Sequence, residues 1–433
     1  MKYIQLIIIT SILASCSNTN NCLIDTSDIQ TFWNAYDQIK KTSGTLDQIK
    51  LIDSLYFQKG SEGLPAICEA RRYTPESYID AINKYPKYWE SIRSNTMKAN
   101  DYAQEICQGV EQLEQLYPEL KPAKIYFTIG ALRTGGTALG NKVLIGAELA
   151  LADSTVVTTE LKEDYPYLVD NFQSNKPRNN VVFNNVHEYV HTQQNTTIAN
   201  SLLSRTLIEG VAEFIAEKSM NIPSPSKSMI FGKKNDKKIK DAFVKEMFTQ
   251  FERIWFWANA NNQFKIGDLG YYVGYAICNS YYENADNKKQ AIKIMIELDY
   301  LNEIEIHQFI DDSKYFEKTI SEYNREFVEK QPRIIGISEF NNRSKNVDPK
   351  IKTMTIEFSE RMNTEIKNLR LGPLGEEHLL TITDLIGWSE DGRKITYEIE
   401  LKSHLQQQLL VTDIFRSEQG YLLKPYLIDI TTK

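Results

Sequence analysis

Apolar residues in this 433-residue chain recur at three- and four-residue intervals over most of the first 330 positions, and at two-residue intervals after that. The first period is that of a helix with one buried face, the second that of a strand with one buried face. Helices are predicted over Asp28–Lys41, Leu46–Gln58, Pro75–Lys84 and Asn95–Tyr117, with turn residues between them. Ala123 to Gly130 is rich in β-branched and aromatic residues and reads as a strand. Thr134-Gly135-Gly136-Thr137 supplies a turn, and Val143 to Leu149 reads as a second strand, so a hairpin is expected over 119–150. Helical periodicity returns over 154–330, broken at Asn221-Ile222-Pro223-Ser224-Pro225-Ser226.

After Gln331-Pro332 the character changes. Met354, Ile356 and Phe358 alternate with Thr355, Glu357 and Ser359. Ile395, Tyr397, Ile399 and Leu401 alternate with Thr396, Glu398, Glu400 and Lys402, following an Asp391-Gly392 turn. About 100 residues of such strands suggest a β-sandwich. The expected fold is therefore multidomain α+β. A mostly helical domain with a small sheet spans 28–331 (a helical part 28–118, then 119–331), and an all-β sandwich spans 332–433. No internal repeat is visible.

The N-terminus carries an address. Lys2 precedes an apolar run from Ile4 to Ala14, which is too short to span a bilayer as a helix. A basic start, a short apolar stretch and small residues make a secretory signal. Leu13-Ala14-Ser15-Cys16 looks like a bacterial lipobox, with Cys16 becoming the lipidated first residue of the mature chain. Residues 17–27, polar and asparagine-rich, are expected to tether lipid to domain.

Composition narrows the partners. A net charge of −7 with no basic stripe argues against a nucleic-acid-binding role. Lys233-Lys234-Asn235-Asp236-Lys237-Lys238 reads as a solvated loop and helix start. Cys22, Cys68, Cys107 and Cys278 match no metal-binding spacing. One disulfide among them is possible in an oxidising compartment, with the pairing open.

The candidate chemistry lies in Val186-His187-Glu188-Tyr189-Val190-His191, in a chain with five histidines. On a helix, residues four apart share a face. His187 and His191 can therefore bind one zinc ion, with Glu188 placed to reach a water in the metal's open position. Val182, Phe183, Val186 and Val190 form the stripe that buries this helix, and Pro177 suits its first position. His187, His191 and Gln194 line one edge of the stripe. A third ligand is available from Leu207-Ile208-Glu209-Gly210-Val211-Ala212-Glu213-Phe214, which also reads as helical. Seventeen residues lie between His191 and Glu209, and 21 between His191 and Glu213. A second helix packed antiparallel to the first returns either carboxylate to the histidines. One can ligate while the other anchors a histidine N–H. Gly210 permits close approach of helices.

The two segments together resemble the gluzincin metallopeptidases, in which a H-E-x-x-H helix is followed by a helix bearing the ligand in an N-E-G-x-A-like motif. Glu209-Gly210-Val211-Ala212 matches that motif, and Ile208 stands where many relatives have asparagine. The resemblance implies His187, His191 and Glu209 as zinc ligands and Glu188 as general base. Residues from about 120 to 330 resemble more closely the predicted zinc-dependent proteases found as lipoproteins in Bacteroidetes-type bacteria, a family also similar to a gliding-motility lipoprotein. Ile125-Tyr126-Phe127-Thr128-Ile129-Gly130, Gly135-Gly136-Thr137, Leu144-Ile145-Gly146-Ala147-Glu148 and Gly270-Tyr271-Tyr272-Val273-Gly274-Tyr275 carry that likeness. Met354-Thr355-Ile356-Glu357-Phe358-Ser359-Glu360-Arg361-Met362 resembles bacterial Ig-like modules. Gly146-Ala147-Glu148 is faintly similar to the substrate-edge motif of gluzincin aminopeptidases.

These readings imply a lipid-anchored zinc peptidase acting on peptides or exported proteins in the cell envelope. With no acidic cluster directly after Cys16, an outer-membrane position facing the periplasm is expected. The hairpin is a candidate edge for pairing with substrate backbone. Tyr271, Tyr275, Arg205 and His307 are candidates for stabilising the oxyanion of the reaction. His378 and His404, far from the motif, are expected at the surface. The competing reading is a non-catalytic envelope lipoprotein whose peptidase-like fold is scaffold and whose Ig-like module does the binding.

Overall fold

A computed structural model describes residues 22–433 apart from 175–176, 250–251, 258–261 and 366–367. Cys16 and the signal region lie outside the described residues. Two hydrophobic cores form, one drawing on residues from Ile29 to Ile320 and the other on residues from Ile334 to Ile430. The chain is a mixture of helices and several small sheets. Among the described residues, no helix is long and apolar enough to cross a membrane.

The first body opens with strand β1 (Cys22–Asp25) and helices α1 (Ser27–Ile39), α2 (Thr45–Leu55), α3 (Gly63–Arg71), α4 (Pro75–Lys84), α5 (Pro86–Thr96) and α6 (Ala103–Leu116). In α1, Ile29, Phe32, Trp33, Tyr36 and Ile39 fall on one face and all are buried, as helical periodicity requires. A capping box starts α4: the Thr74 hydroxyl accepts from the Ser77 N–H, Ser77 Oγ accepts from the Thr74 N–H, and Pro75 occupies the first position. The single helix expected over 95–117 is two, because residues 97–102 turn between α5 and α6. Helix α3 is absent from the sequence expectation, since it is nine residues long and buries only Gly63, Leu64 and Ile67.

Four strands make the first sheet, in the order β1-β2-β4-β3, with β2 at Ala123–Thr128, β3 at Thr137–Leu139 and β4 at Lys142–Gly146. The expected hairpin of β2 with the 143–149 segment does not form. Those strands pair parallel, Ile125 opposite Val143, and β3 folds back along the far side of β4. The hairpin is β3–β4, turning at Gly140, whose φ of +58° suits glycine. Burial explains the difference. Five of six β2 residues and four of five β4 residues are buried, the mark of strands covered on both faces. Residues 22–25 also depart from expectation. They are not tether but β1, paired parallel to β2 and held by a disulfide between Cys22 and Cys107 of α6.

Helices α7 (Ala147–Ala150), α8 (Pro166–Ser174), α9 (Val181–His191), α10 (Leu202–Met220), α11 (Lys227–Phe243) and α12 (Glu252–Trp255) follow. The first body then closes with α13 (Leu269–Asn284), α14 (Lys288–Glu297), α15 (Glu303–Ser313) and α16 (Ile320–Lys330). The lysine run expected in a loop lies inside α11, which kinks at Asn235. Ser201 caps α10 by accepting the Ser204 N–H at 3.1 Å, and Asn221 ends it in the left-handed conformation. Helices α10 and α13 touch backbone to backbone where Gly210 faces Gly274. A methyl group on Gly274 would overlap the Thr206 carbonyl oxygen, and one on Gly210 would overlap the Gly274 backbone. The close approach expected of Gly210 is thus made, and it fixes where α10 sits along its neighbours.

The second body has one sheet in the order β5-β6-β9-β8 and another in the order β11-β10-β7. Its strands are β5 (Ile334–Ile337), β6 (Thr353–Phe358), β7 (Leu369–Arg370), β8 (Thr381–Trp388), β9 (Lys394–Glu400), β10 (Gln406–Val411) and β11 (Tyr426–Thr431). Every residue of the two expected apolar sets, Met354/Ile356/Phe358 and Ile395/Tyr397/Ile399/Leu401, is buried, and Leu409, Val411, Ile428 and Ile430 complete the same core from the other sheet. The bodies meet through Arg416, whose guanidinium pairs with Glu246, while the other oxygen of Glu246 accepts the Trp255 indole N–H at 2.8 Å.

Candidate metal centre

Pro177 opens a short 3-10 turn through Asn180 that leads into α9 rather than being its first residue. Phe183, Val186, Tyr189 and Val190 bury α9 against the core, and the Tyr189 hydroxyl accepts the Ala123 N–H at 2.8 Å, tying the helix to the start of β2. With that face fixed inward, His187 and His191 are carried together toward α10.

Three donor atoms converge there. Nε2 of His187 and Nε2 of His191 lie 3.2 Å apart. Oε2 of Glu209 lies 3.6 Å from the first and 3.2 Å from the second. Ligands about 2.0–2.1 Å from a tetrahedral zinc stand roughly 3.3–3.4 Å from one another. The observed triangle therefore has the size that a tetrahedral zinc requires, and its two imidazoles and one carboxylate are a donor set zinc accepts. Among the described residues this is the group of ligand side chains whose atoms all fall within metal-binding reach of one another.

The remaining ring nitrogens are held from behind. Nδ1 of His191 is 2.7 Å from Oε1 of Gln194. The Gln194 amide in turn donates to the Ile208 carbonyl and the Tyr300 hydroxyl at 3.0 and 3.1 Å. A ring nitrogen facing an amide oxygen carries the proton, which leaves Nε2 with its lone pair toward the triangle. Nδ1 of His187 lies 2.9 Å from Oε2 of Glu213, close enough for an ion pair, although the ring N–H is not aligned for a full hydrogen bond. Ser224 donates its hydroxyl to the other Glu213 oxygen. The two glutamates that the sequence left interchangeable thus have different places: Glu209 at the Nε2 triangle, Glu213 behind His187.

Charge around the triangle is negative. Burial alone would lower the pKa of His187, but the neighbouring carboxylates of Glu209 and Glu213 outweigh it and raise the imidazole to about 10. Burial alone would raise Glu209, yet the imidazoles of His191 and His187 hold its carboxyl well below the usual range. A field that favours a proton on a buried imidazole favours a cation at the same point. Tyr271 completes the wall. Its ring stacks on His187 at 6.0 Å, and its hydroxyl bonds to Glu209, burial raising its pKa well above the ordinary phenol value.

His187, Glu213 and Tyr271 line a cleft of about 610 Å³ together with Gly135, Gly136, Phe183, Glu188 and Asp268 among others. Glu188 has room there because Gly136 lacks a side chain. A Cβ at that position would stand 3.0 Å from Oε1 of Glu188. Strand β3 begins one residue later and pairs only with β4 among the described residues, so its outer edge is free beside the cleft.

Not every sequence candidate arrives at the cleft. The Tyr275 hydroxyl goes to Glu217, and His307 pairs with Glu303 on its own helix. Arg205 reaches Glu209, Nη1 to Oε1, at 3.7 Å. Glu148, of the faint edge motif, is fully buried. It accepts the Gly130 N–H at 2.8 Å and the Leu132 N–H at 3.2 Å, and burial pushes its carboxyl up to about 7. It fixes the 129–136 loop rather than facing substrate. Asp268 was missed by the sequence reading, since its place in the cleft depends on the tertiary path of the segment before α13. His378 and His404 lie in the second body, the first half-buried and the second exposed.

No family model matches the chain, and no curated protein matches it. Searches of solved structures return the N-terminal part of the bacterial S-layer protein SbsC, at 13% identity and a TM-score of 0.19, covering 94% of this chain and 71% of that one. A longer S-layer protein rSbsC and domains 1–6 of SbsC follow at 11% and 13% identity, both with TM-scores of 0.18, and this chain spans 46% and 41% of them. Scores this low carry no argument about fold or function.

Proposed function

We propose that this protein is a zinc-dependent metallopeptidase, anchored by lipid at Cys16 in the cell envelope, that hydrolyses peptide bonds in peptides or exported proteins. One observation carries the reading: His187 Nε2, His191 Nε2 and Glu209 Oε2 form a triangle with sides of 3.2, 3.2 and 3.6 Å, and its His187 lines a cleft that Glu188 also lines. The antiparallel edge strand beside α9 and the second helix bearing Glu209 support a gluzincin-like arrangement. Sheets of four and three strands around one core support an Ig-like module. The lipobox and the Cys22–Cys107 disulfide support export, since disulfides persist in oxidising compartments.

Zinc bound by His187, His191 and Glu209 would supply Lewis acidity and a water acidic enough to be deprotonated near neutral pH. Glu188 takes the proton of the attacking water on its carboxylate and delivers it to the leaving amine. Tyr271, at the wall of the cleft, would turn its hydroxyl proton from Glu209 to the oxyanion developing on the substrate carbonyl. Gln194 and Glu213 keep the imidazoles turned.

Metal analysis of the purified protein should return one zinc per chain. Cleavage of a peptide library should stop on chelation and resume on adding zinc. Metal bound with no cleavage of any peptide would favour the non-catalytic envelope protein instead, and absence of metal binding would end both the metal and the peptidase readings.

The residues behind the ligands have their own test. Glu213→Ala and Gln194→Ala are each expected to weaken zinc binding about 10- to 100-fold, the usual effect of removing a partner that orients a ligand. Competition against a chelating dye measures it. Affinities within twofold of the parent protein would show that these contacts do not hold the imidazoles.

A further inference from the structure

Asp268 is a carboxylate without an assigned task. It stands at the N-cap of α13 in the left-handed region, φ 59° and ψ 27°, a conformation with a steric cost for any residue with a Cβ. Aspartate at an N-cap ordinarily accepts a helix N–H, yet this side chain makes no capping bond. It lines the cleft instead, accepting the backbone N–H of Trp257. Among the described residues no lysine, arginine or histidine pairs with it. Burial, with the negative potential of Glu209 and Glu213 added to it, pushes its carboxyl up to about 6.

A carboxylate in a sheltered cleft is poorly solvated, and a bound cation offsets that cost better than water does. A cation bound at the His187–His191–Glu209 triangle would answer to Glu209, not to Asp268. Lys227 and Lys265 also line the cleft but form no ion pair with Asp268 among the described residues. The group still lacking a counterion therefore faces the space where substrate lies.

We propose that Asp268 determines substrate specificity by pairing with a cationic group of the peptide close to the scissile bond, either a lysine or arginine side chain or the ammonium of a free amino terminus. This rests on the peptidase reading above. Asp268 lines the cleft from a left-handed backbone position, and the Trp257 N–H occupies one of its acceptor positions.

Three peptide sets of equal length test it on the zinc-loaded protein: amino-terminally acetylated peptides with one lysine, the same peptides with norleucine for lysine, and norleucine peptides with a free amino terminus. In the parent protein kcat/KM should favour one of the cationic sets over the acetylated neutral set by about 10-fold or more, and the set favoured tells side chain from terminus. Asp268→Asn should bring that ratio near one, and Asp268→Glu should restore part of it. Calorimetric binding to the non-cleaving Glu188→Gln protein should show the same preference without turnover. Equal rates and equal binding for charged and neutral peptides in the parent protein would overturn the proposal with the peptidase reading intact. A ratio unmoved in Asp268→Asn would overturn it too. Zinc-loaded protein that neither binds nor cleaves any of the sets would take down the peptidase reading, and this proposal with it.

Discussion

Glu188→Gln is expected to lower kcat by about 10²–10⁴-fold, the range for loss of a positioned general acid–base group, while the protein keeps one zinc per chain. Glutamine matches glutamate in size, so the space cleared by Gly136 stays filled and no cavity opens. The amide cannot accept the proton of an attacking water. Glu188 lies outside the ligand triangle, so metal content should not fall. Kinetics on the best library peptide, zinc analysis and circular dichroism on the same preparation measure the three quantities. A loss of less than about threefold would exclude Glu188 as the base. Glu209→Ala makes the informative contrast, since it removes a ligand atom and should lose zinc and activity together.

Removing the disulfide by a Cys22→Ser, Cys107→Ser double substitution is expected to destabilise the first body by about 4 kcal/mol, from the loop-closure entropy of cross-linking residues 85 apart. The effect should be large because β1 is four residues long and, among the described residues, pairs with one neighbour only, β2. Its own hydrogen bonds give little resistance to fraying. Urea unfolding followed by tryptophan fluorescence, with and without reductant, reads the change. Reductant should leave zinc content untouched, because no cysteine belongs to the triangle. Equal unfolding midpoints for the oxidised and substituted proteins would show that the cross-link constrains nothing the fold does not already constrain.

The legible features share a cause. Alternation in Met354-Thr355-Ile356-Glu357-Phe358 predicts its own burial, because a strand's two faces differ by one residue whatever it packs on. The Thr74/Ser77 box and Pro75 mark the start of α4 from sequence alone, since capping is satisfied within four residues. Failures arose where partners are distant. The turn chemistry at 134–137 suggested that 123–130 and 143–149 pair as neighbours, yet the choice between parallel and antiparallel was made by burial on both faces of the sheet. Cys22-Leu23-Ile24 was read as tether because its neighbours are polar, and only the edge of β2 makes it a strand.

The site divides in the same way. That His187 and His191 share a face, with Glu188 turned aside toward the cleft, follows from one turn of helix and needed nothing beyond the sequence. Which glutamate of α10 stands at the two Nε2 atoms and which behind His187 did not, because Glu209 and Glu213 share a face and either could swing back from a second helix. The tertiary structure places Glu209 there through the packing of α10 against α9, while the backbone contact of Gly210 with Gly274 fixes α10 against α13. The cysteine pairing and the presence of Asp268 in the cleft were decided there as well. Spacing along one element is a local property of the chain. Juxtaposition between elements depends on how their buried faces pack, and that is settled only when the whole core closes.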